Sequence, residues 1–193
     1  MSERIKLKHN IKEVPKRDRC QTPPYALDPL LPYIPKHMTV WEPAVGEGYL
    51  ANEMIRKGYE VVGTDLCYST TEDNQDFLIS DIPEVDCIIT NPPYSIKYEW
   101  IARCYEIELP FALLIPVDTI GAAKAQALFS KYGISILYMN QRIDFKMPDK
   151  GWSGSGSFFP TAWYTYKLLP EPIMFSSVVA GKSAWKKNLK KGE

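Results

Sequence analysis

The run Val85-Asp86-Cys87-Ile88-Ile89-Thr90 breaks off at Asn91-Pro92-Pro93-Tyr94, and this junction limits the possible folds more than any other stretch. A short, β-branched run ended by two prolines is predicted to be a buried strand. Proline removes the N–H a helix needs and pushes the residue before it into extended geometry. A strand apolar on both faces belongs to a parallel sheet covered by helices. The four residues that follow then sit at a strand's carboxyl end, the edge of an open α/β sheet where ligands bind. There the Asn91 amide oxygen and the Pro92 carbonyl can accept from an amino group, and the Tyr94 ring offers a flat apolar face. Asn-Pro-Pro is equally ordinary turn chemistry, so the chemical reading depends on what surrounds it.

Upstream, Met38 to Trp41 is predicted as a first strand, followed by Glu42-Pro43-Ala44-Val45-Gly46-Glu47-Gly48 and a helical stretch to about Lys57, stopped by Gly58. Tyr59 to Thr64 reads as a second strand ending in Asp65, which completes a βαβ unit. Phe77-Leu78-Ile79 is predicted as a third strand, ending at Ser80-Asp81. Beyond the junction, a helix over Lys97 to Glu106 puts Trp100, Ile101 and Cys104 on one face. Phe111 to Pro116 is an all-apolar strand, and Ala122 to Tyr132 a helix ended by Gly133. Ile134 to Met139 and Phe158 to Leu168 are β-rich, Ile143-Asp144-Phe145 is a candidate short strand, and the Gly/Ser loop 151–157 connects them. With no helix between the two long β-rich runs, the last strands are expected to pair antiparallel at one edge of a mostly parallel sheet with helices on both faces.

Residues 21–168 are expected to form one catalytic domain, flanked by a flexible arm at 1–20 and an extension at 169–193. The proline-dense segment from Cys20 to Pro35 is predicted to pack as a lid or brace, with one short helix near Leu27 to Leu31. No apolar stretch is long enough to span a membrane and no signal peptide is recognisable, which predicts a cytoplasmic protein. Four scattered cysteines and two histidines suggest neither a zinc site nor a disulfide framework. The chain is neutral as a whole, but residues 1–20 and 181–193 each carry a net charge of +4. Basic ends on an acidic body suit a polyanionic partner or serve as solubilising tails. In the first case Lys182, Lys186, Lys187, Lys190 and Lys191, with Trp185 among them, would track a phosphate backbone.

Gly46-Glu47-Gly48-Tyr49-Leu50-Ala51 fits G-x-G-x-x-A, with Asp65 nineteen residues after the first glycine. The glycines permit close approach of a ligand, the helix start favours an anion, and an acid after the second strand can accept both hydroxyls of a ribose. Asp81 suits an acceptor for an adenine amino group, or a turn cap. A dinucleotide and S-adenosylmethionine would use these features alike.

Taken with Asn91-Pro92-Pro93-Tyr94, the pattern resembles the S-adenosylmethionine-dependent amino-methyltransferases, in particular the DNA adenine-N6 methyltransferases. It is similar to the small stand-alone enzymes of phages and mobile elements. The resemblance covers residues 22 to about 166 and implies a Rossmann-like class I methyltransferase fold, a seven-stranded sheet with an antiparallel edge strand. It further implies that Glu42, Pro43, Ala44, Gly46 and Gly48 form the cofactor loop, Asp65 the ribose acceptor and Asp81 the adenine contact. Thr22-Pro23-Pro24-Tyr25, with Thr22 and Tyr25 as contacts, is similar to the segment that closes over the methionine end. Asn91, Pro92, Pro93 and Tyr94 correspond to the catalytic signature, Asn91 also touching the cofactor, and Phe158-Phe159 to an aromatic wall beside the target base. No metal is implied. The implied reaction is methyl transfer to adenine N6 in DNA, with the base flipped onto the loop. RNA adenine N6 and protein glutamine N5 remain open, because both present a planar conjugated amine. An NAD-dependent oxidoreductase would leave the Asn-Pro-Pro-Tyr loop idle, and a non-catalytic adaptor would be expected to carry a degraded one. Fewer than 30 residues follow Tyr166, so target recognition is expected from the lid and loops, a separate recognition subunit or a homodimer.

Overall fold

The computed structural model describes residues 15–67, 75–152 and 156–191. Among these, the strands in chain order are β1 (Thr39–Glu42), β2 (Glu60–Gly63), β3 (Cys87–Thr90), β4 (Phe111–Pro116), β5 (Ser135–Met139), β6 (Lys146–Met147), β7 (Gly151–Trp152), β8 (Thr161–Tyr166) and β9 (Ile173–Ser176). The helices are α1 (Tyr49–Arg56), α2 (Lys97–Ile107), α3 (Ala123–Tyr132) and α4 (Val179–Lys191). None is long and apolar enough to cross a membrane.

Seven strands form one sheet in the order β2-β1-β3-β4-β8-β5-β9, while β6 and β7 make a separate hairpin. The four strands at the β2 end run parallel, which brings the carboxyl ends of β1, β2 and β3 together. β8 runs antiparallel to both β4 and β5. It lies inside the sheet, between β4 and β5, and β9 adds beyond β5 in parallel register. The expected third strand is absent: Phe77-Leu78-Ile79 is a turn. The Asp76 carboxylate accepts from Leu78 N (3.0 Å), and the Asp76 carbonyl accepts from Ile79 N and Ser80 N. An aspartate that satisfies the amides following it competes with strand pairing.

Alternation along the strands divides the core into two layers. Val40, Cys87, Ile89, Ala112, Leu114 and Trp163 face a layer closed by Leu50 and Met54 of α1 and by the brace. Trp41, Ile88, Phe111, Leu113, Ile115 and Tyr164 face the layer closed by α2 and α3. The brace contains two 3₁₀ turns, Pro24–Ala26 and Leu31–Tyr33, instead of one helix. Trp163 Nε1 donates to the Ala26 carbonyl at 2.9 Å, tying the brace to the sheet.

The C-terminal basic segment is a docked helix. Lys182 is buried, its Nζ donating to the Arg142 carbonyl at 2.6 Å, and burial lowers its pKa. Trp185 meets Trp152 edge-on, with ring centroids 5.3 Å apart. Gly181 lets the helix approach closely, since a Cβ there would lie 3.0 Å from Tyr25 Cβ and run into the Asp28 carboxylate. Lys182 and Trp185 therefore hold the fold together and are not placed to track a phosphate backbone.

Candidate active site

The parallel strand ends open into a cavity of about 630 Å³, counting the part open to solvent. A smaller space of about 240 Å³ adjoins it. Cys20, Gln21, Ala44 and Asn91 line both.

The floor of the larger cavity is the loop after β1. Gly46 and Gly48 adopt φ of +55° and +84°, a left-handed conformation that glycine reaches without steric penalty. A side chain at Gly46 would also collide with Gln21. The Asp65 carboxylate clamps this loop to the segment after β2, accepting from Gly46 N at 2.9 Å and Cys67 N at 2.7 Å. Asp65 thus lines the cavity where a ribose acceptor was expected, but it also braces the loop. Gln21 Oε1 accepts from Glu47 N at 2.8 Å. Gln21 itself pairs with Lys146 through both backbone groups, and Lys146 Nζ pairs with the Glu47 carboxylate. The N-terminal segment, the β6–β7 hairpin and the loop after β1 are thereby locked together.

At the far end, Phe77 and Trp100 stack at 4.3 Å between ring centroids and line the cavity with Gln75 and Asp76. Asp81 is exposed and outside the cavity lining. On this part of the cavity wall the acid is Asp76 and not Asp81, because the segment turns instead of pairing. A carboxylate immediately before a buried aromatic was the available signal. Arg19 and Asp18 also line the cavity. Residues 15–20 of the predicted arm thus include a 3₁₀ turn, Lys16–Asp18, and part of the site wall, while residues 1–14 lie outside the described residues.

Of the remaining cofactor-loop residues, Pro43 and Ala44 line the larger cavity, and Glu42 and Thr22 the smaller one. Gly48 starts α1 and lines neither. Tyr25 is also outside both cavities. It is buried in the core with its hydroxyl accepting from Asp144 N at 2.8 Å, so the expected cofactor contact at Tyr25 is a structural one. Glu42 is 1% exposed. Burial pushes its carboxyl up to about 8, an effect offset in part by the Thr90 hydroxyl and the Ala44 amide. Neither Glu42 Oε2 nor Thr90 Oγ1 completes a hydrogen bond of regular geometry.

Asn91 stands at the end of β3 with its Oδ1 buried and without a hydrogen-bond partner. It lines the cavity with Pro93, while Pro92 is buried beside it. Tyr94 opens a 3₁₀ turn, Tyr94–Ile96, that leads into α2. Its ring meets Phe145 at 6.4 Å and Phe159 at 5.8 Å, both edge-on. Burial, then the nearby Cys20 and Asp18, holds the Tyr94 hydroxyl well above its ordinary pKa, so it stays protonated. Of the expected aromatic wall, Phe159 meets Tyr94, whereas Phe158 is 97% exposed. Both precede β8 instead of lying in it. The loop at 151–157 begins in β7, and Ser157 N donates to the Ile143 carbonyl at 2.8 Å; residues 153–155 lie outside the described residues.

No protein-family model matches the chain, and no curated protein matches its sequence. Solved structures do match. One, from Listeria monocytogenes and described as a class I S-adenosylmethionine-dependent methyltransferase, is 13% identical over 92% of this chain and 74% of that one, with a TM-score of 0.57. A second, from Pyrococcus horikoshii and described as an RNA methyltransferase, is 15% identical over 76% and 82%, with a TM-score of 0.51. A third, from Agrobacterium tumefaciens and described as an O-methyltransferase, is 14% identical over 80% and 84%, at 0.50. Identities this low speak to architecture alone, and on that architecture the chain has the Rossmann-like fold of class I methyltransferases.

Proposed function

We propose that the protein is an S-adenosylmethionine-dependent methyltransferase acting on the exocyclic amine of a planar conjugated ring, adenine N6 in DNA. The observation that carries this reading is the Asn91 side chain: a buried oxygen without a partner, held on the cavity wall at the end of β3. Buried acceptors are normally satisfied. One left open in a site lined by two prolines suits a donor that arrives with the substrate.

The residues present fit the cofactor. Gly46 provides a close backbone approach, Phe77 and Trp100 an aromatic floor for a purine, and Asp65 and Asp76 acceptors for hydroxyl and amino groups. When bound, S-adenosylmethionine supplies an electrophilic methyl group. The chain's own residues prepare the nucleophile. An adenine amino group is weakly nucleophilic because its lone pair is delocalised into the ring. Acceptors at Asn91 Oδ1 and the Pro92 carbonyl hold both N–H bonds, localise the lone pair and stabilise the charge that develops on nitrogen. Two prolines fix the spacing of these acceptors without adding backbone donors. A base within a duplex cannot reach such a loop, so it must be flipped out. Tyr94 and Phe159 offer aromatic surface to receive it.

Incubation with methyl-labelled cofactor and, in parallel, duplex DNA, RNA and protein tests the reading. Label is expected in DNA. Transfer only to protein would replace adenine with a glutamine amide, and transfer only to RNA would replace the polymer while leaving the base chemistry intact.

A further inference from the structure

Beside the catalytic loop lies a patch of a different chemistry. Lys97 Nζ is 3.5 Å from the Tyr94 carbonyl and 4.5 Å from the centroid of the Tyr98 ring. Lys124 Nζ, at the start of α3, lies 5.8 Å from the same ring. Two cations thus flank one tyrosine within a turn of the Asn91–Tyr94 loop. Neither lysine has an ion-pair partner among the described residues, whereas Lys57, Lys146, Arg56 and Arg103 each have one. The patch is continuous with the aromatic mouth of the site. Val117 N donates to the Pro160 carbonyl at 3.1 Å, which joins the turn Val117–Gly121 leading to α3 with the Phe159 that meets Tyr94. Asp118, exposed on that turn, is an opposing charge.

We propose that Lys97, Tyr98 and Lys124 form the docking face for the phosphodiester backbone of the nucleic-acid strand that carries the target base. The proposal rests on the nucleic-acid reading above and names where the strand lies. Unpaired cations interleaved with an aromatic face match a strand that offers phosphates and an unstacked base together. A polypeptide carrying a glutamine supplies neither. The face also takes over the role expected of the C-terminal lysines, of which Lys182 is committed to the fold.

The test uses the full chain and a Lys97→Gln/Lys124→Gln double variant, with Tyr98→Leu alongside. Anisotropy of a labelled oligonucleotide is followed as a function of salt, together with methylation kinetics and calorimetry of S-adenosylmethionine. Removing both cations should flatten the log-log salt slope by about 1.8 on duplex DNA and about 1.4 on a single strand. KM for the nucleic acid should rise, with kcat and cofactor affinity retained. Tyr98→Leu should weaken single-strand binding by about tenfold with the salt slope unchanged. A double variant that methylates nucleic acid with unchanged slope and KM overturns the docking face while leaving the function standing. A wild-type protein that labels only protein overturns both.

Discussion

The two walls of the cavity contrast in how completely their polar groups are satisfied. On the cofactor side the amides of Gly46, Glu47 and Cys67 are all engaged, by Asp65 and Gln21. On the reacting side Asn91 Oδ1 and the Tyr94 hydroxyl are buried with no partner. The backbone of the first wall is braced before any ligand arrives, although the Glu42 Oε2 and Trp100 Nε1 atoms beside it are also without partners. The second holds its acceptors short of partners, which costs stability and is expected where substrate provides the missing donors.

The largest expected effect comes from breaking the open wall. Asn91→Ala should lower turnover by about 100-fold or more while leaving cofactor affinity near wild type, since an oriented acceptor in a dry site acts mainly on the transition state. Asn91→Asp keeps an acceptor and should retain more activity than Ala. Steady-state kinetics with parallel calorimetry reads both numbers, and near wild-type turnover in Asn91→Ala would remove the mechanism.

Breaking the satisfied wall should do the opposite. Asp65→Ala removes a ribose acceptor and the clamp on Gly46 and Cys67, so S-adenosylmethionine should bind more weakly by roughly 1 to 3 kcal/mol. Unchanged affinity in a folded variant would mean that the ribose lies elsewhere.

Glu42 sharpens the comparison through pH. Its folded pKa of about 8 stands above the ordinary 4.5, so between these values the folded protein keeps a proton that the unfolded chain has lost. Stability of the ligand-free protein should therefore fall as pH rises through that window, by at most about 1.4 kcal/mol per pH unit. Urea titrations from acid to mildly alkaline pH should show the slope in wild type and its loss in Glu42→Gln. An unchanged slope in Glu42→Gln would show that Glu42 is ionised in the fold.

Smallest of all is Phe158→Ala, which should shift stability by no more than about 0.5 kcal/mol, because the ring makes little contact with the folded chain. A larger loss by the same titration would place Phe158 in the packed structure.

The same contrast governs what the sequence disclosed. β1, β3, β4, α2 and α3 were legible because each is a continuous apolar run or a periodic stretch punctuated by proline or glycine. So was the site's axis, since Gly46, Asp65 and Asn91 lie at ends of parallel strands and line one cavity. What escaped depends on contacts distant in sequence or on a side chain's local choice. β9 lies among prolines and exists by pairing with β5. α4 read as a charged tail because lysines dominate it, yet Gly181 is where the helix meets Tyr25 and Asp28. Asp76 caps its own turn, so the segment expected to be a strand ending at Asp81 bends away and leaves Asp76 on the cavity wall. Tyr25 turned inward to a backbone amide far along the chain, which no local pattern could reveal.

The most direct measurement of the central claim is mass spectrometry of the product after the wild-type protein, S-adenosylmethionine and duplex DNA are incubated and the DNA is digested to nucleosides. The account predicts N6-methyldeoxyadenosine, absent when Asn91→Ala replaces the wild type. DNA that remains unmethylated, while a protein offered in the same reaction acquires N5-methylglutamine, would contradict it.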